Sequence, residues 1–133
     1  VENGRVIDVV LVEDNDVFRE ALELMLGVTP QIRVVASVPD GRSALEVCQR
    51  LEPDVVLMDY RLPELDGVET TAGVRTVCPG ASVVVLTAGV ETGELAALYD
   101  AGAVACLTKD SDLNEIVSAI CDAATVTLAH PPA

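Results

Sequence analysis

Five short runs rich in Val, Ile and Leu recur along the chain, at residues 6–12, 32–37, 55–59, 82–86 and 104–108. A stretch with helical spacing follows each of them. Runs of this length that stay apolar on consecutive positions suit strands buried on both faces. Strands that alternate with helices along a whole chain imply right-handed crossovers and a parallel sheet covered on both sides. With 133 residues there is room for one such domain and its core, not for two. No internal repeat is found.

The helical stretches carry their own punctuation. Asp16 is the predicted N-cap of the first, with Phe18, Ala21, Leu22 and Met25 at helical spacing and Gly27 closing it. Ala44, Leu45, Cys48 and Leu51 line the second, which stops before Pro53. The third, residues 66–77, is weakened by Thr70, Thr71 and Gly73. Leu95, Leu98 and Tyr99 mark the fourth, over 92–101, and Gly102 is a natural residue to end it. Asp112 and Glu115 form a capping-box pair for the last, lined by Leu113, Ile116, Val117 and Ile120. Residues 125–133 lack periodicity and hold Pro131-Pro132, so the predicted domain is 1–124 with a tail or linker after it.

The run Val55-Val56-Leu57-Met58 meets its first charge at Asp59, and a turn containing Pro63 follows. In a parallel sheet all carboxyl ends of strands lie on one edge, where open α/β sheets bind ligands. Glu13, Asp14, Asp59, Thr87 and Lys109 therefore share one rim although they are far apart in sequence. Carboxylates crowded at 4 Å repel by about 1–4 kcal/mol per pair, depending on the effective dielectric. A divalent cation, or partial neutralisation by Lys109, makes such a pocket tolerable. Oxygen ligands alone favour a hard cation such as Mg²⁺. A carboxylate is also a competent nucleophile toward phosphorus, and such a transfer uses a cation, an ammonium and a hydroxyl to hold the phosphoryl oxygens.

The formal net charge of −14 and pI near 4.1 exclude nucleic-acid binding by this piece, which needs a basic face. At 50% hydrophobic and 2% aromatic, the core has to be aliphatic. Cys48, Cys78, Cys106 and Cys121 form no C-x-x-C pair and read as free thiols in a reducing compartment. No signal peptide and no apolar run near 18 residues is found, so a soluble, cytoplasmic protein is expected. The phosphate-binding glycine motifs of nucleotide sites are also missing after the first run.

The sequence resembles the receiver domains of two-component response regulators over residues 6–124. The resemblance rests on Val-Glu-Asp-Asn at 12–15, Met-Asp-Tyr-Arg-Leu-Pro at 58–63 with Asp66-Gly67, Leu-Thr-Ala at 86–88, Ala-Gly-Ala at 101–103, and Lys109-Asp110. It implies a flavodoxin-like five-stranded parallel sheet of order 2-1-3-4-5. It implies that Asp59 accepts a phosphoryl group from a histidine kinase, and that Mg²⁺ is held by Glu13, Asp14, Asp59 and the Arg61 backbone carbonyl. Thr87 and Lys109 would then engage the phosphoryl group. Asp110 where proline is common is similar to receivers that precede a LuxR-type helix-turn-helix domain, so DNA would be met through a domain outside this chain.

One position departs from the family pattern. Cys106 stands three residues before Lys109, where receivers usually place Tyr or Phe as a switching ring. Cys106 either fills a small buried slot or marks an altered output surface, with Leu95 and Tyr99 as apolar anchors of a possible homodimer. A receiver-like interaction module that is not phosphorylated is the alternative reading. An Asp-nucleophile phosphatase of the haloacid-dehalogenase kind is rejected, because Arg61 sits where its general acid is needed.

Overall fold

The computed structural model describes residues 5–89 and 91–129, with side chains through 125. Ten elements alternate in order: β1 (Ile7–Val12), α1 (Asp16–Gly27), β2 (Ile32–Val38), α2 (Gly41–Leu51), β3 (Val55–Asp59), α3 (Gly67–Val77), β4 (Ser82–Thr87), α4 (Thr92–Ala101), β5 (Ala103–Thr108) and α5 (Leu113–Ala129). The strands form one parallel sheet in the order β2-β1-β3-β4-β5. This is the flavodoxin-like five-stranded parallel sheet, in the strand order that the resemblance implies.

Two apolar layers cover the sheet, and the strand sequences divide themselves between them at every second residue. Ile7, Val9, Leu11, Val55, Leu57, Val84 and Leu86 pack with Leu22 and Leu26 of α1 and Ile116 and Ile120 of α5. Val10, Val12, Val56, Met58, Val83 and Val85 face the other way, onto Ala44, Cys48, Val74 and Leu98 of α2, α3 and α4. With aliphatic residues on both faces, no polar alternation survives in β3 or β4, which is why their sequences read as unbroken apolar runs. Pairing of Val12 with Met58, Asp59 with Leu86 and Thr87 with Thr108 brings the strand ends level on one edge.

Several boundaries differ from the sequence expectation for local reasons. The cap of α1 is Asn15, not Asp16: Asn15 is extended, and its Oδ1 accepts the Phe18 N–H at 2.9 Å. Asp16 is already helical and instead receives Arg19 Nη2 at 2.7 Å. Helix α5 runs through Ala129, past the point where a tail was expected, and the Thr125 hydroxyl donates to the Cys121 carbonyl at 3.0 Å within it. Pro131 and Pro132 lie outside the described residues. The Asp112–Glu115 pair does form a reciprocal cap, at 2.9 and 3.1 Å.

The weak-looking α3 is complete because its polar positions have uses. Thr70 and Thr71 are buried, and the Thr71 hydroxyl is satisfied by the Gly67 carbonyl at 2.7 Å. Gly73 lies against α2, where an added Cβ would come within 2.7 Å of Leu45 Cδ2. Close packing of two helices, not helix propensity, explains that glycine. Cys48 is fully buried, and burial pushes its thiol up to about 12, so it serves as a small core residue.

Gly102 ends α4 at φ 116°, a conformation that costs a side-chain-bearing residue about 1–2 kcal/mol. A Cβ there would also press on Arg75 Cγ at 2.7 Å. Gly102→Ala is expected to lower the unfolding free energy by about 1–2 kcal/mol, seen by circular dichroism as a lower urea midpoint with an unchanged m value. An unchanged midpoint would show that this turn relaxes freely.

Candidate functional site

Glu13 leaves β1 into surroundings that combine backbone groups with the side chains of Arg19 and Lys109. Its N–H donates to the Val38 carbonyl at 3.0 Å, and its own carbonyl accepts Arg19 Nη1 at 2.7 Å. The side chain is 1% exposed, with Oε2 taking the Asn15 N–H at 3.0 Å and Oε1 facing Lys109 Nζ at 2.8 Å. Asp59, 6% exposed at the end of β3, presents Oδ2 to the same ammonium at 3.2 Å. Its Oδ1 accepts a long bond from the Arg61 N–H at 3.4 Å. Asp14 is exposed beside them, and one oxygen from each of Glu13, Asp14 and Asp59 lies within 4.8 Å of the others.

Electrostatics make this acidic cluster favourable to a cation. Three carboxylates cluster here, and among the described residues Lys109 forms ion pairs with two of them, Glu13 and Asp59. Burial raises the Glu13 pKa above its usual 4.5, more than the bonds from Lys109 and Asn15 lower it, and Asp59 adds to the rise. Glu13 therefore takes up a proton more readily in the folded state. Its contribution to stability is present below the ordinary carboxylate range and is lost as pH rises through the raised value. Burial alone would lower the Lys109 pKa, but its bonds to Glu13 and Asp59 outweigh that and leave it raised. The donor set is all oxygen and partly open to solvent, which fits a hard divalent cation that keeps some of its water.

The remaining predicted residues sit on the same edge with different partners. Thr87 is buried at the end of β4, and its carbonyl accepts the Lys109 N–H at 2.8 Å, fixing the lysine's backbone. Its hydroxyl is occupied within its own loop, accepting the Gly89 N–H at 3.1 Å and donating to the Gly89 carbonyl at 3.2 Å. Arg61 is exposed, with its guanidinium 5.4 Å from the Tyr60 ring centroid. The geometry thus joins Glu13, Asp14, Asp59 and Lys109 directly, and brings Thr87 to their edge with its hydroxyl turned elsewhere.

Three contacts escaped the sequence reading. Phe18, taken only as an apolar helix residue, lies with its ring centroid 4.8 Å from Lys109 Nζ. Arg19 clamps the acidic loop through the Glu13 carbonyl and Asp16. Tyr60, buried next to Asp59, donates its hydroxyl to Glu94 Oε2 at 2.8 Å, while Glu94 Oε1 accepts the Glu91 N–H at 3.0 Å at the start of α4. These bonds hold Glu94 below the usual carboxylate range, the Glu91 N–H most, and push Tyr60 up. The only sequence signal for any of them was scarcity: the chain has one Phe and two Tyr. Leu95 is half-buried and Tyr99 is 46% exposed. Cys106 is half-buried with its thiol against the Tyr99 hydroxyl, and burial raises both groups.

A doubly wound sheet whose carboxyl edge gathers three acids and a lysine defines a narrow class of α/β protein. Residues 9–121 match the response regulator receiver domain family, and the chain belongs to it. Transcriptional regulatory protein LnrK of Bacillus subtilis (strain 168) is 32% identical over 126 residues, covering 95% of this chain and 57% of LnrK. The solved signal receiver domain of NarL from Mycobacterium tuberculosis has a TM-score of 0.86 at 35% identity, covering 91% of this chain and 98% of that one. The receiver domain of sensor histidine kinase PA1611 from Pseudomonas aeruginosa PAO1, solved with a magnesium ion coordinated in its active site cleft, has a TM-score of 0.78 at 28% identity, covering 90% and 98%. The chain spans about half the length of the first curated relatives it matches. Among the described residues, no helix is long and apolar enough to cross a membrane.

Asp14 is the exposed member of the acidic cluster, so Asp14→Asn, which removes one of its charges, is expected to stabilise the metal-free domain by at most about 1 kcal/mol, the high-dielectric end for an exposed charge. The same change is expected to weaken Mg²⁺ binding at least about tenfold. Urea unfolding with and without Mg²⁺ reads both effects. Equal destabilisation in both conditions would mean that Asp14 is a structural cap and not part of a cation site.

Proposed function

We propose that the chain is a phosphorylation-controlled signalling switch in which Asp59 accepts a phosphoryl group from a histidine kinase. The observation that carries this reading is the position of Lys109 Nζ, 2.8 Å from Glu13 and 3.2 Å from Asp59, in a pocket that also holds Asp14. Glu13, Asp14, Asp59 and the Arg61 carbonyl would hold Mg²⁺. Bound there, the cation supplies charge neutralisation for the incoming phosphoryl oxygens. Asp59 supplies the nucleophilic oxygen: a bond forms from its carboxylate to phosphorus as the bond to the donor breaks, and the donor leaves with the electron pair. Lys109 stabilises the charge on the transferred group without moving a proton.

Thr87 supplies the response. A hydroxyl that turns to the phosphoryl group has to give up both bonds to Gly89, so the loop after β4 has two alternative arrangements. The bond from Tyr60 to Glu94 gives the start of α4 a second tie to the phospho-acceptor strand, and this tie does not pass through position 106. The protein acts as a phosphoacceptor with slow self-dephosphorylation, not as a turnover enzyme. Residues 1–124 are assigned to the receiver unit, with α5 continuing to Ala129, and any contact with DNA in the cytoplasm would be made through a LuxR-type helix-turn-helix domain outside this chain. Leu95 and Tyr99 form part of a helical face for homodimerisation. An interaction module that is never phosphorylated is the second reading, and Cys106 is the observation that favours it.

Intact-mass analysis after incubation with acetyl phosphate and Mg²⁺ separates the two. A phosphoryl adduct is expected on the native chain and not on Asp59→Asn. Adduct on neither, with acetyl phosphate and with a histidine kinase as donor, would decide for the module. Because Cys106 replaces the switching ring, beryllofluoride with Mg²⁺ is expected to change amide exchange over residues 95–113 only weakly. A large ordered shift there would refute the weak coupling.

A further inference from the structure

We propose that Phe18 is a positioning residue for Lys109, its ring face holding the ammonium within reach of Asp59 when the carboxylates turn to a cation. The inference rests on the reading of Asp59 as phospho-acceptor. Among the described residues, Lys109 Nζ has Glu13 Oε1 at 2.8 Å, Asp59 Oδ2 at 3.2 Å and the Phe18 ring centroid at 4.8 Å. Both carboxylates belong to the acidic cluster that a divalent cation would occupy, and a cation competes with the ammonium for their oxygens. The ring offers a hard cation no oxygen, so its attraction for Lys109 survives that competition.

Phe18 is placed independently of the metal. Its N–H is fixed by the Asn15 cap at 2.9 Å, and its side chain packs on the core layer that includes Leu22 and Leu26. The next residue, Arg19, anchors the same helical turn to the Glu13 carbonyl. On the other side, the Lys109 backbone is tied to the Thr87 carbonyl. With both ends fixed, the lysine stem has little freedom except at the ammonium, and its side chain is only 26% exposed. A partly desolvated ammonium over an aromatic face gains more than a solvated one. The chain's single Phe thus stands against the ammonium that pairs with Glu13 and Asp59.

The test uses the whole chain with Phe18→Leu, which keeps apolar packing but loses the π face, and Phe18→Tyr, which keeps it. Phe18→Met serves if the leucine variant fails to fold. Beryllofluoride affinity with Mg²⁺ and the rate of adduct formation from acetyl phosphate are expected to fall about three- to tenfold in Phe18→Leu and to stay near native in Phe18→Tyr. Mg²⁺ affinity alone is expected to stay within about twofold in both. The upfield ring-current shift of the Lys109 methylene protons, read by NMR without metal, is expected to vanish in Phe18→Leu and persist in Phe18→Tyr. Native behaviour of the leucine variant overturns the proposal, as does an equal fall in leucine and tyrosine variants. A parallel loss of Mg²⁺ affinity would make Phe18 a packing residue only. A native chain that forms no adduct but keeps the ring-current shift would overturn the phospho-acceptor reading and leave the Phe18–Lys109 contact standing.

Discussion

The ammonium of Lys109, set between the buried carboxylates of Glu13 and Asp59, is the interaction on which the carboxyl edge of this sheet depends. An ionised carboxylate that loses its water without gaining a partner is strongly destabilising. Here two acids leave β1 and β3 into nearly closed surroundings, and the partner arrives from the far side of the sheet, at the end of β5. The arrangement therefore requires the full strand order. β1 and β3 are adjacent, β4 follows, and β5 hands over Lys109 through its backbone bond to Thr87. A slip of one residue in any strand would send these side chains to the opposite face and leave the acids uncompensated.

Compensation is also incomplete, and the incompleteness is what gives the site its chemistry. Among the described residues, Lys109 pairs with two of the three clustered carboxylates, and burial keeps the Glu13 pKa raised despite the contact. A site optimised for stability alone would hold fewer acids or more cations. The surrounding scaffold tolerates the mismatch because its two apolar layers supply cohesion elsewhere, and backbone groups of Asn15, Val38 and Arg61 share in fixing the acidic side chains and loops. Uncompensated charge is thus concentrated at the carboxyl rim, whereas Asp8, the charged residue inside β1, is paired with Arg33 of β2 at 2.7 Å.

Most of the fold was legible because it rests on patterns with a fixed period. Unbroken apolar runs mark strands covered on both faces, and their spacing leaves room for one helix each. The rim was legible for the same reason: parallel strands must place Glu13, Asp14, Asp59, Thr87 and Lys109 on one edge. What was not legible depends on side-chain geometry. Choosing Asn15 over Asp16 as the cap turns on which residue is extended, and both are good caps by type. Gly73 looked like a helix weakness because the Leu45 side chain that requires it lies on another helix. The last turns of α5 were missed because Thr125 satisfies its hydroxyl locally and gives no apolar period. Phe18 looked like an ordinary apolar helix residue and Tyr60 was only part of a motif, since nothing in one dimension places them against Lys109 and Glu94.

Position 106 is where sequence and structure together say most about signalling. A switching ring there would fill space vacated by a moving threonine. In this chain the aromatic next to that slot is Tyr99, which comes from α4 and meets the Cys106 thiol with its hydroxyl. Tyr99 is 46% exposed, so its ring is held less firmly than a strand residue in the core. Movement of the loop after β4 therefore has less packing to rearrange at β5. It has more to rearrange at the start of α4, where Glu94 is bonded both to Glu91 and to Tyr60. The tie from Tyr60 begins one residue beyond Asp59, so a change of charge at Asp59 and a change at the first turn of α4 are separated by one peptide bond and one hydrogen bond. On the proposed reading, that tie makes the first turn of α4, rather than the position of Cys106 on β5, the element that a change at Asp59 would reach through the fewest contacts.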